Sequence, residues 1–203
     1  LPAEEYQRRV SDIQMGRNKI TDCVARYEKG ERNAKLIYTL ASKFQDRNDP
    51  DQAAVFFKEL IKDYPDADAT MRATATYRLA YYEFENGNMD PLNAFIDEFS
   101  DSPYAMQAIF SMARFYGGQD NIIGELGIFS RGLSLFPDNS TMLNGYAWRM
   151  AELEVNLDDA LAKAEKAIKL TQDTPDIQAN IIDTQAEVLW KLGRIDEAIM
   201  TIE

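Results

Sequence analysis

Three apolar stretches of this chain close in the same way. "ELIKDYPDAD" (residues 59–68), "IDEFSDSPYA" (96–105) and "GLSLFPDNS" (132–140) each reach an aromatic residue with proline and aspartate in the next few positions. Pro65 and Pro137 lie 72 positions apart. The same shift lays Ala41 on Ala113, Phe44 on Tyr116, Phe57 on Phe129, Tyr64 on Phe136 and Asp66 on Asp138. Small residues fall on small ones and aromatics on aromatics. Such a shift corresponds to two units of about 36 residues each, and a unit of that size buries its apolar face only by stacking on its neighbours. The middle unit centres on "YRLAYYEFENGNMDPLNAFIDEFSDSP", with Ala80 and Pro103 in the small and proline positions.

Each unit reads as two helices. "AKLIYTLASKF" spaces Leu36, Ile37, Leu40, Ala41 and Phe44 at the helical i, i+3, i+4 period. "QDRNDP" breaks the pattern with turn formers. "DQAAVFFKELIKDY" resumes it, with Asp51 at its N-terminal end, Tyr64 packing before the stop and Pro65 closing the unit. The later part repeats the grammar. "NLDDALAKAEKAIKL" aligns with "RIDEAIMTIE", laying Leu157 on Ile195, Asp158 on Asp196 and Ala160 on Ala198; "LNGYAWRMAELE" and "DTQAEVLWKLG" precede them as first helices. The run "YPDAD" is therefore punctuation between units and not a binding motif. "GGQDNIIGELG" is expected to be a loosened turn inside the third unit.

The ends differ. Residues 1–31 are charged and broadly helical, with Tyr6, Val10 and Ile13 on one face, then Ile20, Val24 and Tyr27, and Gly16 interrupting between them. They are expected to form a helical cap or linker before an array over residues 32–203. The last helix is half the usual length, and Ile199 and Ile202 would seek a further helix. The chain begins at Leu1 and stops within a helical pattern, so a fragment or processed product is expected.

Composition removes several chemistries. The 203 residues are 45% hydrophobic and 11% aromatic, enough to fill a core. Lys and Arg total 22 against 34 Asp and Glu, a net charge of −12 that repels nucleic acid and anionic membrane surfaces. There is no histidine, the commonest general base and metal ligand near neutral pH. Cys23 is the one cysteine, so an intramolecular disulfide is impossible, and its apolar neighbours suit a buried thiol. No apolar run approaches the length that spans a bilayer. Adjacent acids such as Glu4 with Glu5, Asp97 with Glu98 and Asp158 with Asp159 point in different directions on a helix, and the last pair suits a helix N-terminus. "QDRNDPDQ" lacks the glycine and final glutamate of a calcium loop. No catalytic, cofactor or metal site is expected. "NGYAWRMAE" groups Asn144, Tyr146, Trp148 and Arg149, read either as a recognition patch or as Trp148 packing between helices.

These marks resemble the tetratricopeptide repeat (TPR) family, in which about 34 residues form a helix–turn–helix with small residues at fixed positions. The resemblance rests on Leu40, Ala41, Phe44, Ala53, Phe57 and Pro65 in one unit, and on Met112, Ala113, Tyr116, Phe129 and Pro137 in another. Ala160, Ala164 and Ala167 mark a fourth unit, and Leu189, Gly193 and Ala198 a fifth. It covers residue 33 to the end, about four and a half units, with a degenerate second unit and Glu125 where the family prefers alanine. Sel1-like repeats and other helical solenoids are the nearest competitors. The resemblance implies an all-α fold: a right-handed superhelical array of antiparallel helix pairs.

It also implies a non-enzymatic scaffold whose first helices line a concave groove for a peptide or protein segment. Carried across by alignment, the groove positions are Lys35, Tyr38 and Ser42, then Gln107, Phe110 and Arg114. Gly145, Arg149 and Glu152 follow in the fourth unit, and Asn180, Asp183 and Glu187 in the fifth. Lys35 matches a basic position of the family's carboxylate clamp, but Ser42 replaces its asparagine, so the clamp for chaperone C-termini is incomplete. Units with "YPDAD" and "FSDSPYA" are similar to those of bacterial envelope-assembly and cell-division coordinators. That leans towards a bacterial periplasm or cell envelope, with the cytoplasm left open. The alternative is an accessory TPR region of a larger enzyme, such as a thioredoxin-like thiol–disulfide protein whose catalytic domain lies before Leu1. Self-association through the exposed last helix is a further expectation.

Overall fold

A computed structural model describes residues 20–203. The readings on Glu4, Glu5, Tyr6, Val10, Ile13 and Gly16 lie outside the described residues. Regular structure among the described residues is helical throughout. Helix α1 covers residues 20–28 of the described chain. Five pairs follow: α2 (Ala34–Asp46) with α3 (Pro50–Asp63), α4 (Ala69–Glu85) with α5 (Asp90–Glu98), α6 (Pro103–Gly118) with α7 (Ile122–Leu135), α8 (Ser140–Leu153) with α9 (Leu157–Leu170), and α10 (Pro175–Lys191) with α11 (Ile195–Ile202). Contacts divide them into two compact units, the first ending at Ala108 and the second running from Ile109, within α6.

Every pair turns in the same way. The first helix ends on a left-handed residue: Asn48, Gly87, Asp120, Glu154 or Gly193, with φ between 51° and 89° for the set that includes Asn156. The next N–H reaches back five residues to a helix carbonyl, as Asp49 to Phe44, Asn88 to Glu83, Asn121 to Tyr116, Val155 to Met150 and Arg194 to Leu189, at 2.9–3.1 Å. This is the Schellman arrangement, which satisfies carbonyls left over at a helix end. Asp49 and Asn121 then cap the second helix by accepting from the N–H of Gln52 (3.2 Å) and Gly124 (3.0 Å). Asp51 lies in the first turn of α3, one step beyond the cap, where its charge favours the helix dipole.

The junctions between pairs repeat too. Tyr64, Phe99, Phe136 and Thr171 cap the second helices, and their carbonyls accept from the N–H three residues on, at 2.9–3.2 Å. In "YPDAD", Asp68 starts the next helix by accepting from the N–H of Thr70 (2.9 Å) and Met71 (3.3 Å). Pro65 and Pro137 directly follow aromatic caps, as the 72-residue shift requires. Pro103 does not: Ser100 follows the cap Phe99, and Pro103 is the first residue of α6, where its missing N–H is no loss. "GGQDNIIGELG" is not a loosened turn. Gly117 and Gly118 finish α6, Ile122 opens α7, and only residues 119–121 turn.

In the first unit, Cys23, Leu36, Ile37, Leu40, Ala41, Ala53, Phe56, Phe57 and Leu60 form one buried cluster, with Val24 and Tyr27 of α1 packed against it. Tyr27 meets Phe56 edge-on at 5.3 Å, and its hydroxyl donates to Glu59 at 2.9 Å. Tyr77 continues the packing, stacking on Tyr104 at 4.6 Å and leaning on Phe95 at 5.4 Å. In the second unit α8 packs on α9, and α10 on both. Ala147, Ala151, Ala160, Ala164 and Ala167 are wholly buried, which lets these backbones approach closely. Helix α11 buries Ala198 and leaves Ile195, Ile199, Met200 and Ile202 exposed.

Candidate binding site on helices α6 to α8

Glu125 stands where three other units put alanine, at Ala53, Ala160 and Ala198, and it is 2% exposed. A carboxylate there costs several kcal/mol unless it is paired. Its partner comes from α8: Arg149 donates from Nε to Oε1 at 2.6 Å and from Nη2 to Oε2 at 3.0 Å, a bidentate fork. The third arm of the guanidinium donates from Nη1 to Glu152 at 3.1 Å, and these bonds raise the Arg149 pKa, the Glu125 bond most. Room for the pair comes from Gly117, where a side chain would stand 3.1–3.2 Å from both headgroups.

Beside this pair lies a cavity of about 490 Å³. Phe110, Arg114 and Gly117 of α6, Phe129 of α7, and Gly145, Trp148, Arg149 and Glu152 of α8 are among its lining residues. Phe110 meets Phe129 edge-on at 6.2 Å. Phe110 also fills the space over Gly145, where a Cβ would fall 2.6 Å from its ring. Trp148 is 45% exposed. It does not pack between helices as core; one part of it lines the cavity and the rest meets solvent.

Tyr146, from the same "NGYAWRMAE" segment, goes the other way. It is buried, meets Phe129 edge-on at 5.9 Å, and hydrogen-bonds Asp159 and Asn156 of the next turn and helix. Burial, with the bond to the Asp159 carboxylate, pushes its phenol up to about 12. Burial raises Asp159, yet bonds from Lys163 and Tyr146 outweigh it and hold that carboxyl below its usual range. Tyr146 is thus a fastener of α8 to α9, and part of a second hollow lined by Ser130, Ser134, Asn156, Asp159 and Lys163.

The aligned groove positions therefore separate. Phe110, Arg114, Gly145, Arg149 and Glu152 meet around one cavity. Lys35, Tyr38 and Ser42 lie along α2 and Gln107 in the early turns of α6, all within the first compact unit. Asn180, Asp183 and Glu187 lie on α10, outside that lining. Arg149 lines the cavity with its guanidinium already occupied by Glu125 and Glu152. Phe129, Gly117 and Glu125 were not among the groove positions; the only sequence signal for them was an acid at a small-residue position.

Among the described residues no cluster of His, Cys, Asp and Glu is arranged to hold a metal, and no helix is long and apolar enough to cross a membrane. Cys23 is buried in the α1–α3 cluster.

The chain resembles the crystal structure of BtubC (BKLC) from P. vanneervenii with a TM-score of 0.63 over 94% of its length and 86% of that protein, at 14% identity. The fold is that of TPR-like helical repeats. The TPR-like repeats of a protein described as a kinesin light chain from Podosopora anserina match with a TM-score of 0.53, over 85% of this chain and 93% of theirs, at 14% identity. A substituted form of those repeats matches with a TM-score of 0.52 at 12% identity, over 83% and 90% of the two chains. No protein-family profile and no curated protein matches the sequence. TPR-like folds are generally used for protein interaction, and the likeness at these identities is one of fold.

Proposed function

We propose that this chain is a non-enzymatic scaffold that binds an extended protein segment, and that the α6–α8 cavity is its principal seat. The observation that carries the reading is Trp148, a large aromatic held at 45% exposure on a helix whose neighbouring positions are core, beside a cavity with aromatic walls. Exposed aromatics next to well-packed pockets are typical anchors of protein recognition. Attachment to a thiol–disulfide enzyme domain before Leu1 rests on the resemblance to TPR-bearing proteins of that kind alone. A place in the bacterial envelope rests on the resemblance of the inter-unit motifs alone.

The test is a random-peptide display selection against the whole chain, with recovered peptides re-measured on Trp148→Ala. Peptides whose affinity drops at least about tenfold on that substitution support the seat. Peptides that bind both proteins equally place recognition elsewhere. Charge reversal at Arg149 is the wrong probe, because it would set a second carboxylate against buried Glu125.

A further inference from the structure

The second compact unit engages its cations almost completely. Arg149, Lys163, Lys166, Lys191 and Arg194 each hold a carboxylate at 2.6–2.8 Å. Arg131 also has an interaction. Arg114 and Lys169 differ: among the described residues neither takes part in a hydrogen bond, ion pair or ring contact, and both are exposed, but only Arg114 lines the α6–α8 cavity. Its guanidinium offers five N–H donors in a planar fork that matches a carboxylate.

The charges around the cavity decide what that fork can receive. Glu125 is closed off by Arg149, and Glu152 accepts the remaining arm of the same guanidinium. Arg114 is the cation there with all its donors open. The walls next to it, Phe110 and Trp148, are aromatic and suit an apolar side chain. A carboxylate seated there would form charge-assisted bonds with the fork.

Resting on the reading of this cavity as a binding seat, we propose that it selects segments in which an acidic side chain stands near an apolar one. The acid takes the Arg114 fork and the apolar group lies against Phe110 and Trp148. The segment is extended, because it reaches Arg114 and Phe110 on α6 and Trp148 on α8 at once. The overall negative charge of the chain opposes such a segment at long range, so selectivity comes from the short-range contact and not from steering.

The experiment is the same display selection, read for composition and repeated on Arg114→Gln and Lys169→Gln. Lys169 is an exposed cation on α9 outside the cavity lining. The proposal expects recovered peptides that carry Asp or Glu at a fixed distance from an apolar residue. They should weaken at least about tenfold with Arg114→Gln and when their own acid becomes the amide, and hold with Lys169→Gln. Peptides that need Trp148 but are neutral or basic, and ignore Arg114→Gln, overturn the acidic selectivity and leave the seat standing. Peptides indifferent to both Trp148 and Arg114 overturn the seat and the selectivity together.

Discussion

Glu125 and Arg149 show how one residue out of pattern reorganises its surroundings. The repeat asks for a small residue at position 125, and the chain supplies a buried carboxylate with a fork from the next pair. Removing one partner strands the other: Arg149→Ala should lower unfolding stability by about 3 kcal/mol in chemical denaturation. The double variant Glu125→Ala, Arg149→Leu should recover most of that loss, because a packed apolar pair replaces a desolvated ionic one. Tyr146 gives a pH signature. Its folded phenol is raised to about 12 from 10.0, so its bound proton stabilises the fold fully below pH 10, and that contribution is lost as pH rises towards 12. Tyr146→Phe should flatten part of the fall in stability between those limits, measured by denaturation across that range. The sequence offered the misplaced acid at 125 and the crowded "NGYAWRMAE" segment. It could not offer the pairing, since Glu125 and Arg149 meet only once α7 and α8 are folded together.

At the scale of elements, most of the punctuation was legible because it is local chemistry. An Asx side chain before an apolar run caps a helix, and an aromatic followed by proline ends one. Asp68→Ala should cost about 1 kcal/mol by removing the acceptor for Thr70 and Met71, visible as a lower melting temperature. The left-handed residues were less legible. Gly87 and Gly193 announce themselves, but Asn48, Asp120 and Glu154 fill the same place with a side chain. Asp120→Gly should therefore stabilise the chain by about 0.5 kcal/mol in the same melting experiment, relief of backbone strain exceeding the added freedom of the unfolded chain. Pro103 was misplaced for a related reason. Proline both follows a helix end and opens a helix, and the residue type alone does not distinguish the two. The glycines of "GGQDNIIGELG" misled in the same sense: Gly117 is packed against the Glu125–Arg149 pair and Gly124 against Tyr116, and both are helical against their propensity.

For the whole molecule, the sequence revealed periodicity and fold class because repeats write the same burial pattern many times. The 14% identity to structures of the same fold shows that the pattern, and not particular residues, specifies it. The seat was half legible: alignment chose Phe110, Arg114, Gly145, Arg149 and Glu152, but could not say which arginine is free. The two tryptophans provide a direct reading of the central claim, since Trp148 lines the cavity and Trp190 is an exposed residue of α10 outside its lining. The measurement is the pair of indole N–H resonances of the whole chain, titrated with a peptide recovered by display. The account predicts that the Trp148 signal shifts saturably while Trp190 stays in place. A titration in which Trp190 moves, or in which binding saturates with Trp148 unmoved, would contradict it.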